Sequence, residues 1–136
     1  MNGILPLVLL CLPLQGEPAD IAGVYSIVGR EGDNAYIGSA NIHKSGDGYA
    51  VQMAVATIED GEIKSFSTVL AVGLRSGDKL SIAWTSGKVV GVTVYQIEKG
   101  GVLAGTWMTL PGTGTVRTET LKRIGPLPLP KPGGGA

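Results

Sequence analysis

The side chains here that could make or break bonds are few, and most stand alone. A nucleophilic triad needs an imidazole, and the only histidine is His43. It sits beside Lys44, just ahead of the Ser45 to Gly48 turn, and reads as an exposed residue at a strand end. The only cysteine, Cys11, lies in an apolar run near the amino terminus and is expected to leave with a cleaved leader. One cysteine and one histidine exclude an internal disulfide and a zinc site of several Cys and His ligands. No Gly-x-x-x-x-Gly-Lys-Ser/Thr segment is present to cradle a phosphate. Asp47, Asp60 and Asp78 fall in turns, where an Asp side chain bonds its own backbone. Glu59, Asp60 and Glu62 form the densest acidic group. A dedicated calcium site needs about 6–8 oxygens, so this group reads as a solvated hairpin tip. No spacing pairs two carboxylates for acid–base hydrolysis. No catalytic residue, metal ligand or cofactor is assigned.

Two features point toward binding. Glu119 is a charge inside a β-run, flanked by Thr118, Thr120 and Leu121. Facing inward, it is expected to pair with Arg117 or another cation. An outer-face position and a ligand contact are the alternatives. The second feature is the aromatic set of Tyr25, Tyr36, Tyr49, Phe66, Trp84, Tyr95 and Trp107, all in predicted strands. Pointing inward, these rings either fill a core, the plainer reading, or line a cup. Four tyrosines and two tryptophans against one phenylalanine imply a partly polar interior, because buried phenols and indoles need hydrogen-bond partners. The candidate ligand-binding residues are therefore Tyr36, Tyr49, Trp84, Tyr95 and Trp107.

What positions such residues follows from composition. The chain has 136 residues, room for one domain. Eleven basic and eleven acidic residues cancel, which argues against nucleic acid as a partner. Hydrophobic residues reach 43%, too many for a disordered chain. Residues 1–16 carry no charged side chain and include an apolar run from Ile4 to Leu14. That run is too short for a membrane-spanning helix, which needs about 20 residues, but it fits a secretory signal. Residues 126–136 alternate proline and then run into glycine, so they read as a disordered tail. The domain is expected over 17–125.

From Ala19 to Gly125, proline occurs only at Pro111, and glycines gather in short polar groups. These mark seven turns: Gly29 to Asn34, Ser45 to Gly48, Glu59 to Glu62, Arg75 to Asp78, Ser86-Gly87, Lys99 to Gly101, and Pro111 to Gly114. The eight intervening runs are rich in Val, Ile, Thr, Tyr and Trp, and several alternate with period two. Tyr36, Gly38, Ala40 and Ile42 share one face, as do Leu80, Ile82 and Trp84. No helix is expected. Short turns make neighbours antiparallel, and eight strands in series close into an all-β, eight-stranded antiparallel up-and-down β-barrel. A two-sheet β-sandwich is the alternative. Outward positions such as Asn41, Gln52, Lys79, Ser81 and Gln96 argue against a membrane-spanning barrel.

The pattern of Gly23-x-Tyr25, Tyr36-x-Gly38, Gly46-Asp47-x-Tyr49-x-Val51, Leu80-Ser81-Ile82-Ala83-Trp84, Val94-Tyr95-x-Ile97, Gly101-x-Leu103-x-Gly105-x-Trp107-Met108 and Thr118-Glu119-Thr120-Leu121 resembles a known group. It is similar to small exported bacterial proteins labelled fibronectin-binding or lipocalin/avidin-like. The resemblance runs from Ala22 to Arg123 and implies a small β-barrel. Met53 departs from it, standing where an aromatic is expected.

The expected function is that of an exported, non-enzymatic binding or scaffold module, secreted or periplasmic, in the cell envelope or extracellular space. Its partner would be a small apolar molecule or an extracellular protein. The alternatives are an adhesion or inhibitor protein acting through its loops, and a small barrel enzyme on a hydrophobic substrate. A cavity of a few hundred Å³ at one end would favour ligand binding, and a filled interior would favour the loops. Oligomeric state is left open.

Overall fold

The computed structural model describes residues 20–112 and 114–128. The expected leader, with Cys11, and the tail beyond Pro128 lie outside the described residues. Eight strands follow in order: β1 (Gly23–Glu31), β2 (Asn34–Ser45), β3 (Gly48–Glu59), β4 (Glu62–Ser76), β5 (Lys79–Ser86), β6 (Val89–Glu98), β7 (Val102–Leu110) and β8 (Arg117–Gly125). Each pairs antiparallel with the next, and β1 closes the ring against β8 through pairs such as Ile27 with Leu121. The fold is a closed up-and-down β-barrel without helices among the described residues, and the sandwich alternative falls away.

Turn chemistry sets the register. At the β3–β4 turn, Asp60 and Gly61 have φ of 53° and 78°, and Glu59 pairs with Glu62. Positive φ at both central residues is the requirement of a two-residue hairpin whose twist matches its strands. All seven turns lie where the glycine groups place them. The boundary that differs most is the end of β1, which runs through Gly29 to Glu31 instead of stopping at Val28. Gly29 is a strand residue directly opposite Tyr36.

The two ends of the barrel differ in filling. Around the start of β1 and the end of β8, the interior is packed solid by Tyr25, Ile42, Val51, Leu80, Leu103 and Leu121, all essentially inaccessible. Tyr25 plugs this closed end, and its hydroxyl donates to the Ile21 carbonyl at 2.7 Å. Such apolar burial, worth about 25 cal/mol per Å², is the main term holding the ring closed. The opposite end is reached by the β1–β2, β3–β4, β5–β6 and β7–β8 turns, and it is not filled.

The outside is less polar than expected. Asn41, Gln52, Lys79, Ser81 and Gln96 alternate with inward residues as read. Yet Leu70, Val72 and Leu74 on β4 and Val90, Val92 and Val94 on β6 are exposed on the outer face. Val72, Ala83 and Val92 lie side by side across β4, β5 and β6. Phe66 also points outward and is 78% exposed, so it is the one aromatic that lines neither core nor cup. Among the described residues no helix is long and apolar enough to cross a membrane.

Candidate functional site

The unfilled end is a cavity of about 280 Å³. Its walls come from the mouth-side halves of the strands. Tyr36, Trp84, Tyr95 and Trp107 line it, together with Glu119. Tyr49 does not. It is buried toward the closed end, opposite Gly73, with the Lys44 ammonium 5.6 Å from its ring centroid. The aromatic set therefore divides, Tyr25 and Tyr49 filling the closed half and four rings forming a cup.

Glycines on neighbouring strands hold three of those rings in place. Tyr36 lies opposite Gly29, Trp84 opposite Gly91, and Tyr95 opposite Gly105. A Cβ at Gly29 would sit 2.2 Å from Tyr36 Cζ, one at Gly91 2.3 Å from Trp84 Cζ2, and one at Gly105 2.7 Å from Tyr95 Cε1. Each ring lies across its partner's bare backbone, which leaves the centre of the cup open. Gly105 also pairs with Glu119, so the floor of the cup meets at one point.

The polar atoms of the rings form a connected chain. Trp107 Nε1 donates to the Tyr36 hydroxyl at 2.8 Å. An indole N–H can only donate, so the Tyr36 proton is directed elsewhere, to Glu119 Oε1 at 2.7 Å. Tyr95 donates its hydroxyl to the other carboxylate oxygen, Oε2. Trp84 Nε1 donates at 2.9 Å to Oγ1 of Thr93, the one fully buried polar residue among those described. The rings meet edge to face, Trp84 on Trp107 with centroids 5.8 Å apart and Tyr36 on Trp107 at 6.3 Å.

Charge in the cup is one-sided. Glu119 faces inward, but the expected ion pair with Arg117 is not formed. Arg117 turns instead toward the mouth, with its guanidinium 3.8 Å from Glu31 and 5.1 Å from the Trp107 ring centroid. At the rim a guanidinium keeps part of its hydration, which it would lose beside Glu119. Its Nε is nonetheless buried without a hydrogen-bond partner. Burial holds the Glu119 carboxyl above its ordinary 4.5, and the Tyr95 and Tyr36 hydrogen bonds oppose that rise. The Tyr36 and Tyr95 phenols are pushed well above 10, first by burial and then by the Glu119 charge.

The remaining candidates lie elsewhere. His43 is on the outer face of β2 near the closed end, and Glu59, Asp60 and Glu62 are exposed at a mouth-side turn. Sequence reasoning missed Thr93 and the two phenol donors to Glu119. The glycine partners carried a usable signal, because each faces its ring across a hairpin whose turn is visible in the sequence.

The chain matches no family model and no curated protein. Among solved structures it is similar to a redesigned beta barrel, mFAP1, bound to DFHBI, with a TM-score of 0.62 and 15% identity over 76% of this chain and 94% of that one. It is also similar to a de novo designed fluorescence-activating beta barrel, with a TM-score of 0.59 and 12% identity over 76% of this chain and 93% of that one. At these identities the likeness is one of fold.

Proposed function

We propose that this chain is an exported, non-enzymatic binding module that holds a small, largely apolar ligand in its cup, in the cell envelope or outside the cell. The observation that carries the reading is the 280 Å³ cavity open at one end and walled by Trp84, Trp107, Tyr36 and Tyr95. A cavity of about 150 Å³ lined by apolar side chains already takes benzene, so this one has room for a ligand of one or two rings. Small-molecule sites are concave and mostly apolar, with a few placed polar groups, and the mouths of β-barrels are a usual location. The solved barrel bound to DFHBI supports the reading, since a similar fold there carries a small molecule. The uncharged stretch over residues 1–16 supports export.

The test uses the two tryptophans, both of which line the cup. Titration with naphthalene should change their emission saturably. Thr57→Phe, which fills the cavity from β3, should abolish the change and leave the fold intact by circular dichroism. No saturable change, or one that survives Thr57→Phe, would overturn the reading.

A further inference from the structure

We propose that the cup is built for an organic cation, with an ammonium head set beside Glu119 and an apolar body against the Trp84, Trp107 and Tyr36 rings. This rests on the cup being a ligand site, as proposed above, and names what that site selects.

Three observations carry it. First, the ionisable carboxyl groups of the cavity wall are Glu31 and Glu119, and no Lys, Arg or His lines it. Glu31 at the rim has its cation in Arg117, whereas among the described residues no cation lies within 4 Å of Glu119. The interior thus holds one unbalanced carboxylate, an expensive arrangement unless something neutralises it. Second, the hydrogen-bond chain favours the ionised form. Trp107 forces the Tyr36 proton onto Oε1, and Tyr95 supplies a second donor to Oε2. Each carboxylate oxygen receives one phenol and keeps further acceptor capacity, and Glu119 lines the cavity. Third, the surrounding rings meet at 68° and 73°, which makes a corner rather than a flat slot. Aromatic corners around an anion suit a rounded cationic head, which gains from the ring quadrupoles as well as from the carboxylate. Trp107 already accepts a guanidinium at its rim side.

The groups facing Glu119 are few enough for a clean test. They are Tyr36 from β2 and Tyr95 from β6, with Trp107 on β7 and Arg117 two residues along β8. Glu31 on β1 stands at the rim, and β3, β4 and β5 bring no titratable side chain to the cavity.

Calorimetry should compare phenyltrimethylammonium with its uncharged isostere, tert-butylbenzene, on the full chain. The cation is expected to bind more tightly by about tenfold or more. Glu119→Gln should remove that preference, bringing the affinities of the cation and the isostere together. The quaternary head cannot titrate, so in the wild-type protein its affinity should rise with pH as Glu119 ionises, while that of the isostere does not. This arm stands even if Glu119→Gln fails to fold. If the isostere binds as tightly as the cation, or the cation's affinity is flat with pH, the cation proposal fails and the cup remains a site for neutral ligands. If neither compound binds, or both still bind the Thr57→Phe variant, the ligand site itself is wrong and this inference falls with it.

Discussion

Trp107 on β7 and Tyr36 on β2 have two strands between them around the ring, and the 2.8 Å bond from indole to hydroxyl joins them across the interior. That bond decides where the Tyr36 proton points, and so ties the state of Glu119 to a tryptophan with which it shares no hydrogen bond.

Removing the Tyr36 hydroxyl should therefore cost more than removing that of Tyr95. Tyr36→Phe strands the Trp107 N–H and takes a donor from Glu119. Tyr95→Phe only takes a donor. A buried polar group left without its partner costs about 1–3 kcal/mol, so Tyr36→Phe is expected to lose that much and Tyr95→Phe less. Urea melts of the two variants check the order, and a reversed order would mean that the indole finds another acceptor.

Gly91→Ala should disturb the cup from a position that does not itself line it. The added carbon would lie 2.3 Å from the Trp84 ring and 2.6 Å from the Met108 carbonyl oxygen. Relieving both contacts requires Trp84 to move and the β6–β7 backbone to shift. Overpacking of this kind costs about 1–3 kcal/mol. The expected result is a lower melting temperature with altered near-ultraviolet circular dichroism from Trp84. An unchanged spectrum would show that the ring does not lie on this glycine.

Much of this was legible before any coordinates. Glycine groups placed all seven turns, and period-two runs put Tyr36 on one face with Ala40 and Ile42, and Trp84 with Leu80 and Ile82, the faces that turn inward. Glu119 was singled out, but its partners were not, because Tyr36 and Tyr95 reach it across the interior and no spacing along the chain encodes that. The Arg117 pairing failed for a physical reason, since a guanidinium two residues away can choose a carboxylate nearer to water. The outer face misled too. Strand β4 carries apolar residues on both sides, so Leu70, Val72 and Leu74 gave no alternation to read.

Trp107→Ala is expected to be the most damaging single truncation in the cup. The side chain is buried, touches both Trp84 and Tyr36, and orients the Tyr36 proton. Losing a buried tryptophan typically costs about 3–5 kcal/mol. Trp84, more open to the cavity, should cost less. Denaturant midpoints of both variants test this, and equal losses would mean that the hydrogen bond to Tyr36 adds nothing.

Glu119 makes stability depend on pH in a defined sense. Burial raises its carboxyl above 4.5, so the folded chain keeps a proton that the unfolded chain has already released. Stability from this group is then lost as pH rises from 4.5 through the folded value, and the loss levels off above it. Glu119→Gln cannot titrate and should lack this decline. The difference between wild-type and variant stability, followed by denaturant melts against pH, isolates the effect, and parallel curves would refute it.

The closed end is also where the barrel is entered and left, since β1 begins and β8 ends beside Tyr25, with Val24 paired to Gly125. Any tether, carrier or solid support joined ahead of β1 or after β8 is attached to the base of the barrel. The opening then faces away from the point of attachment, free to meet whatever diffuses past. A fusion made directly at the start of β1 or the end of β8 leaves the mouth uncovered, an orientation that comes from an even number of strands wound up and down.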